Sequence, residues 1–294
     1  MNLKDWIRQR FFDVGTSSKT VLYSMYNEAC DELERTIPLE SYSRSVRAVY
    51  NELYGTDDAS KLTPIISNKL TGMGTVLVVP DLHAPWIHKD ALEFCKAQYV
   101  AHECSAVVFI GDLLDGHAIS YHETNPDGMS AGNEFDSAVA TLKDWYEAFP
   151  VAYVCFGNHD LLISRKAQTH GLPNRLFKTF GEIIESPKGW QFNHTWEIDG
   201  VKYLHGTGGG GKTAHMIRAL KNRQSTVLGH FHSTFGVGYM ANTQDLSFGM
   251  AVGCLIDISS YAMEYGKDFL DRPILGCGIV KSSSEAYTVP MRLE

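Results

Sequence analysis

The sequence predicts an α/β domain preceded by a small helical segment, on three observations. From residue 75, short apolar runs (TVLVVP, AVVFIG, VAYVCFG) alternate with longer helical stretches (DALEFCKAQYVAHE, EFDSAVATLKDWYEAF), the rhythm of strands buried on both faces with helices between them. After residue 190 shorter runs dominate: TWEID, VKYLHG, TVLGHF, FGVGYM and a GIVKSSS tail. They predict a second, more antiparallel sheet. Before residue 71 the apolar spacing is helical.

In that first segment Leu22, Met25, Tyr26, Ala29 and Leu33 fall on one helical face, TIP interrupts, and Val46, Val49, Tyr50 and Leu53 resume the pattern. Two short amphipathic helices joined by a turn follow. The polar stretch GTDDASKLTP, ending in proline, reads as the connector. The expected division is therefore a helical segment over 1–70 and an α/β domain over 71–294.

Composition agrees with a globular chain. Of the 294 residues, 44% are hydrophobic and 20% charged, which excludes disordered and fibrous classes. No apolar run approaches the ~20 residues needed to span a bilayer, and MNLKDWIRQRFF lacks the apolar core of a secretory signal. A cytoplasmic protein without membrane partners is expected. The six cysteines are scattered with no CxxC pair, so they read as buried free thiols. A formal charge of −8 argues against non-specific coating of nucleic acid, although two bound divalent cations would add about +4 where an anion docks.

The chemistry-bearing residues fall where strands end. TVLVVP runs into Asp81 and His83, AVVFIG into Asp112 and Asp115, VAYVCFG into Asn158, His159 and Asp160, VKYL into His205, and TVLG into His230 and His232. Ligands bind outside the carboxyl ends of strands in open α/β sheets. Carboxylate, imidazole and amide oxygen donors without thiolate suit Mn²⁺, Fe or Zn²⁺ rather than a structural zinc knot or a Ca²⁺ cage. Seven such side chains (Asp81, His83, Asp112, Asn158, His205, His230, His232) are too many for one ion. They suit two, provided one carboxylate bridges.

In order, the blocks DLH (81–83), GDLLD (111–115), GNHD (157–160), HG (205–206) and GHFH (229–232) resemble the calcineurin-like metallophosphoesterase family over about residues 75–260. The resemblance implies a four-layer αββα sandwich. It also implies one metal on Asp81, His83 and His232, a second on Asn158, His205 and His230, and Asp112 bridging them. Mn²⁺ is the expected metal, with Fe, Zn, Ni and Mg as alternatives. His159 would face the leaving group as the acid, and Asp115 would orient it. HG is a short motif, and His194 and His215 lie close by; His205 is preferred because it ends a strand. A metal-generated hydroxide attacking phosphorus is the implied reaction. His88, His102, His117, His122 and His170 have no assigned role.

Residues 206–213, GTGGGGKT, also satisfy the Walker A spacing after a strand and before a helix. Three readings stand side by side: a nucleotide cradle with Lys212 on the phosphates, a flexible turn after His205, and a substrate-phosphate contact through Gly208, Gly209 and Lys212. Gly116 and Asp160 depart from the GDxxDRG and GNHE blocks of the family's protein phosphatases. GDLLDGHAISYHETNPDG with Glu134 is similar to phosphoesterases encoded in phage genomes, for which the host cytoplasm is the expected location. A phosphodiesterase acting on nucleic acid or nucleotides is expected, with a phosphomonoesterase or a non-catalytic metal-stabilised binding module as alternatives. Ser41, Ser43, Arg44, Ser45 and Arg47 at the start of the second helix resemble a helix-turn-helix facing DNA. Against that, residues 1–70 hold nine basic and ten acidic residues, and a cap or dimer contact is the competing reading.

Overall fold

The computed structural model describes residues 2–13, 26–33, 36–38, 41–42, 45–46, 48–49, 68–121, 124–260 and 271–292. Two compact units divide the chain, residues 1–67 and 68–294. In the first, helices α1 (Leu3–Asp13) and α2 (Tyr26–Glu32) contribute to a small core of Trp6, Ile7, Ala29, Ile37, Tyr42, Val46 and Val49. The Trp6 indole donates to Glu32 Oε2 at 2.8 Å, so a polar group in that core is satisfied rather than stranded. Ser45 donates its hydroxyl to the Ser41 carbonyl at 2.8 Å, turning it onto its own backbone. Leu22, Met25, Ser43, Arg44, Arg47, Tyr50, Leu53 and the GTDDASKLTP connector lie outside the described residues.

The second unit holds two six-stranded sheets. The first runs β12 (Glu285–Pro290), β11 (Gly276–Ser282), β2 (Val76–Val79), β3 (Ala106–Phe109), β4 (Ala152–Cys155), β5 (Trp190–Asn193). From β2 to β5 it is parallel. The second runs β1 (Lys69–Leu70), β6 (Thr195–Ile198), β7 (Val201–Leu204), β8 (Thr226–Leu228), β10 (Leu246–Val252), β9 (Phe235–Ala241).

Strand alternation builds the layers, because successive side chains point to opposite faces. Leu77 and Val79 join Ala91 and Cys95 of α3 (Ala91–Ala101) and Ala138, Leu142 and Trp145 of α4 (Ala131–Ala148). Their neighbours Val76 and Val78 join Trp196, Tyr203, Val227, Phe248 and Met250 between the sheets. Beyond the second sheet, α7 (Ala214–Asn222) packs on β8 and β10. The order is helix, sheet, sheet, helix. Two further helices, α5 (Leu162–Thr169) and α6 (Phe180–Ile183), follow the GNHD block.

Two expectations are corrected. The GIVKSSS tail is β11, and it pairs antiparallel with β2 in the first sheet rather than entering the second. Its residues Cys277, Ile279 and Val280 are buried on both faces, which a strand next to the central one requires. The second sheet is mixed rather than mainly antiparallel: β7 with β8 and β8 with β10 are parallel. The helical segment α7 supplies the crossover that parallel neighbours need. Among the described residues no helix is long and apolar enough to cross a membrane.

Candidate metal centre

Parallel β2, β3 and β4 and parallel β7 and β8 all end at one edge, so five loops converge there. Asp81, Asp112 and Asn158 come from the first sheet; His205, His230 and His232 come from the second. Asp81, His83, Asp112 and His205 are buried, each at most 3% exposed. Three of the gathered residues sit in left-handed backbone: His83 (φ 53°), Asp112 (φ 50°) and His230 (φ 69°). Such conformations in non-glycine residues cost about 1–3 kcal/mol each and cluster at functional sites.

Three sets of donor atoms lie close enough to share an ion: Asp81, His83 and His232; Asp112, His205 and His230; and His83, Asp115 and His159. In the first, His83 Nε2 lies 3.1 Å from His232 Nε2, which is 3.2 Å from Asp81 Oδ2. His83 Nδ1 faces Asp115 Oδ1 at 2.7 Å, so its proton sits there and the Nε2 lone pair points inward. In the second, His205 donates Nδ1–H to the Ile110 carbonyl at 3.1 Å. Its Nε2 lies 3.1 Å from both Asn158 Oδ1 and Asp112 Oδ2. Asp112 Oδ2 is also 3.8 Å from His83 Nε2, which sets this carboxylate between the first two sets.

These atoms fit divalent cations. Lone pairs converge on lone pairs, and Asp81 Oδ1 is buried with no hydrogen-bond partner, an orphan that a cation would satisfy. Burial raises the Asp112 carboxyl, but His205, then His159 and His83, outweigh it and hold the group well below the usual carboxylate range. Burial lowers His205, yet the carboxylates of Asp112 and Asp81 push it up to about 10, so a cation here would displace the Nε2 proton that otherwise faces Asp112. His83 and His230 are lowered, chiefly by burial, which keeps them in the neutral form that metals require.

His159 lies beside the ligands, its ring 4.7 Å from that of His83. Its orientation comes from Asp115 by a route different from the expected one. Nδ1–H donates to the Asp115 backbone carbonyl at 2.5 Å, while the Asp115 carboxylate is 4.0 Å away and engaged with His83. Burial lowers the His159 pKa, but Asp112, the Asp115 carbonyl and the Asp115 carboxylate outweigh it and leave it raised. Replacing Asp115 with Asn should therefore weaken the Asp81–His83–His232 site, with Mn²⁺ affinity falling about 10–100-fold by calorimetry.

Glycines admit the carboxylates. A Cβ on Gly157 would stand 2.0 Å from Asp112 Oδ1, and one on Gly229 would stand 2.4 Å from Asp81 Oδ1. Gly157→Ala is expected to displace Asp112, destabilising the fold by about 1–3 kcal/mol and lowering metal content, read by thermal melts and elemental analysis.

Two buried acids clamp the loops. Asp160 Oδ1 accepts from the Leu113 and Leu114 amides at 2.9 and 3.2 Å, and Oδ2 from Gly157 at 2.9 Å. Its carboxyl is pushed up to about 7, by burial first and then by Asp112. Glu134 accepts from the His117 and Ala118 amides at 2.7 and 2.8 Å. Sequence reading assigned neither this role, since each depends on amides distant along the chain.

The remaining residues lie elsewhere. The His194 ring lies tilted beside Phe156, 5.2 Å between ring centres, and His215 rides on α7. Lys212 forms an ion pair with Asp271 at 2.8 Å and is 73% exposed, a geometry of small energetic weight. Gly208 and Gly209 line a separate surface cleft of about 350 Å³ with Arg218 and Lys221. His102 meets the Tyr287 hydroxyl, His117 Nε2 accepts from the Asn125 amide, and His122 lies outside the described residues.

A family profile described as calcineurin-like phosphoesterase matches residues 74–245. Among solved structures, Vacuolar Protein Sorting 29 from Cryptosporidium parvum is 12% identical over 74% of this chain and 92% of that one, with a TM-score of 0.41. Vps29 from Chaetomium thermophilum is 10% identical over 75% and 90%, at a TM-score of 0.38. The nuclease MPE of Pseudomonas putida is 11% identical over 73% and 87%, at 0.31. No curated protein matches. With the profile spanning every block from DLH to GHFH, the chain belongs to the calcineurin-like phosphoesterase family.

Proposed function

We propose that the chain hydrolyses phosphodiesters at a dinuclear metal centre. One cation would be held by Asp81, His83 and His232, the other by Asn158, His205 and His230, with Asp112 shared. The observation that carries this reading is the position of Asp112 Oδ2, 3.1 Å from His205 Nε2 and 3.8 Å from His83 Nε2. Two such cations, when bound, stabilise phosphoryl charge as Lewis acids and acidify water at neutral pH; Mn²⁺ is the first choice, with Fe, Zn, Ni or Mg compatible with the donors.

The protein's own part is positional and protic. Asp115 fixes the His83 tautomer through its carboxylate and His159 through its carbonyl. With its pKa raised, His159 carries a proton that its Nε2 can donate to a departing alkoxide. Thr207 directs its hydroxyl at Asn158 Oδ1 from 3.4 Å, which supports the amide's orientation.

Two clefts flank the ligands, which favours a diester over a monoester. One, about 330 Å³, opens at His159; the other, about 310 Å³, opens at Asn158 and His205 and is lined by Phe156, Arg165 and His194. A diester has an arm for each. Rings and a cation in the second suit a nucleotide arm.

The test is hydrolysis of bis(p-nitrophenyl) phosphate and p-nitrophenyl phosphate by metal-stripped protein with and without added Mn²⁺. Mn²⁺-dependent turnover favouring the diester is expected. No turnover of either, with metal bound and His159→Ala indistinguishable from wild type, would leave a metal-stabilised binding module instead.

A further inference from the structure

The cleft at His159 is unlike the rest of the site. It is walled by Ala84, Leu114, Ile119, Phe135, Ala138 and Ile163, all apolar. Its polar side chains are His159 and the carboxylates of Glu134 and Asp160. Both carboxylates are already engaged: Glu134 by the His117 and Ala118 amides, Asp160 by Leu113, Leu114 and Gly157. Among the described residues, the walls therefore present little that could hydrogen-bond a sugar or the edge of a base. A polar group seated there would lose its water without replacement.

Size narrows the occupant further. A cavity of about 150 Å³ with such walls takes a benzene ring, and this one measures about 330 Å³. Gly132, exposed in the first turn of α4, is part of its lining, and a Cβ there would stand in open space with no atom within 4 Å. The cleft also adjoins the reacting groups. His159 belongs both to its lining and to the cluster with His83 and Asp115.

From these observations we infer that the cleft receives the leaving arm of the substrate, and that this arm is a compact apolar alcohol of one or two rings rather than a sugar hydroxyl. The inference rests on the diester reading above and specifies its substrate class. In the step, the P–O bond to the apolar alcohol breaks as water's oxygen bonds phosphorus. His159 gives its proton to the departing oxygen, and the proton lost by water restores the balance. The alcohol and a phosphate monoester leave.

The test pairs full-length wild type with Gly132→Leu, which narrows the cleft, and Gly132→Ala, which adds one methyl. Both changes suit a helix. Binding of 2-naphthol is followed by fluorescence. Hydrolysis is measured for ethyl 2-naphthyl phosphate and for the dinucleotide thymidylyl-(3′→5′)-thymidine with Mn²⁺. Taking the ratio of variant to wild type for each ester cancels its intrinsic reactivity. Saturable 2-naphthol binding to wild type and Gly132→Ala is expected. Gly132→Leu should lose that binding, and its kcat/KM for the naphthyl ester should fall about tenfold or more, the weight of one or two buried methylenes, with the dinucleotide nearly unchanged. An equal or larger fall for the dinucleotide would assign the cleft to a nucleoside and overturn the inference, as would naphthol binding unaffected by Gly132→Leu. If no ester is hydrolysed yet naphthol binding responds to Gly132→Leu, the apolar site stands and the hydrolase reading fails. Hydrolysis with equal variant ratios sinks the apolar arm alone.

Discussion

Asp112→Asn is expected to lower kcat/KM for bis(p-nitrophenyl) phosphate by about 10³-fold or more, roughly 4 kcal/mol of transition-state stabilisation. Asparagine matches aspartate in size and keeps an oxygen for the His159 amide, which now donates to Asp112 Oδ1 at 2.8 Å. It cannot supply the negative charge that two cations would share in the proposed centre. Metal content should fall from two per chain toward one, with circular dichroism unchanged. The buried setting makes the change large, because Asp112 is 1% exposed and solvent cannot replace the missing charge. Retention of two metals and full turnover in Asp112→Asn would remove the bridging role.

His159→Ala should lower kcat about 10²–10⁴-fold for esters with poor leaving groups, and much less for p-nitrophenyl esters, whose phenolate departs without a proton. That split separates an acid from a structural side chain, since misfolding would depress both alike. The pH profile carries the same sign. In the proposed role His159 acts protonated, and its pKa is raised, so wild-type kcat should decline as pH rises through that pKa. The alkaline limb should vanish in the variant. Metal affinity should change little, because the ring is held by the Asp115 carbonyl rather than serving as a ligand. An equal loss on both ester types, with the alkaline limb intact, would assign the proton to another group.

Much of this was legible along the chain because the ligands stand immediately after strands. Parallel strands of similar length end at a common edge, so a run such as AVVFIG followed by Asp112 places that carboxylate near the others. His205 could be preferred over His194 and His215 on the same ground, and it is the one that meets Asn158 and Asp112. The tail was misplaced for the opposite reason. A run of apolar residues is consistent with a strand in either sheet, and only its pairing with β2 decides.

Sequence alone determined the donor set: seven oxygen and nitrogen donors in five ordered blocks, four of which carry a glycine. Tertiary structure decided which atoms do what. The Asp115 carboxylate turned out to face His83 while its carbonyl faces His159, Asp160 and Glu134 became loop clamps, and an apolar cleft opened beside His159. Each of these depends on the directions of atoms brought together from separate loops. Residue order constrains which loops meet, but packing sets the angles at which their side chains arrive.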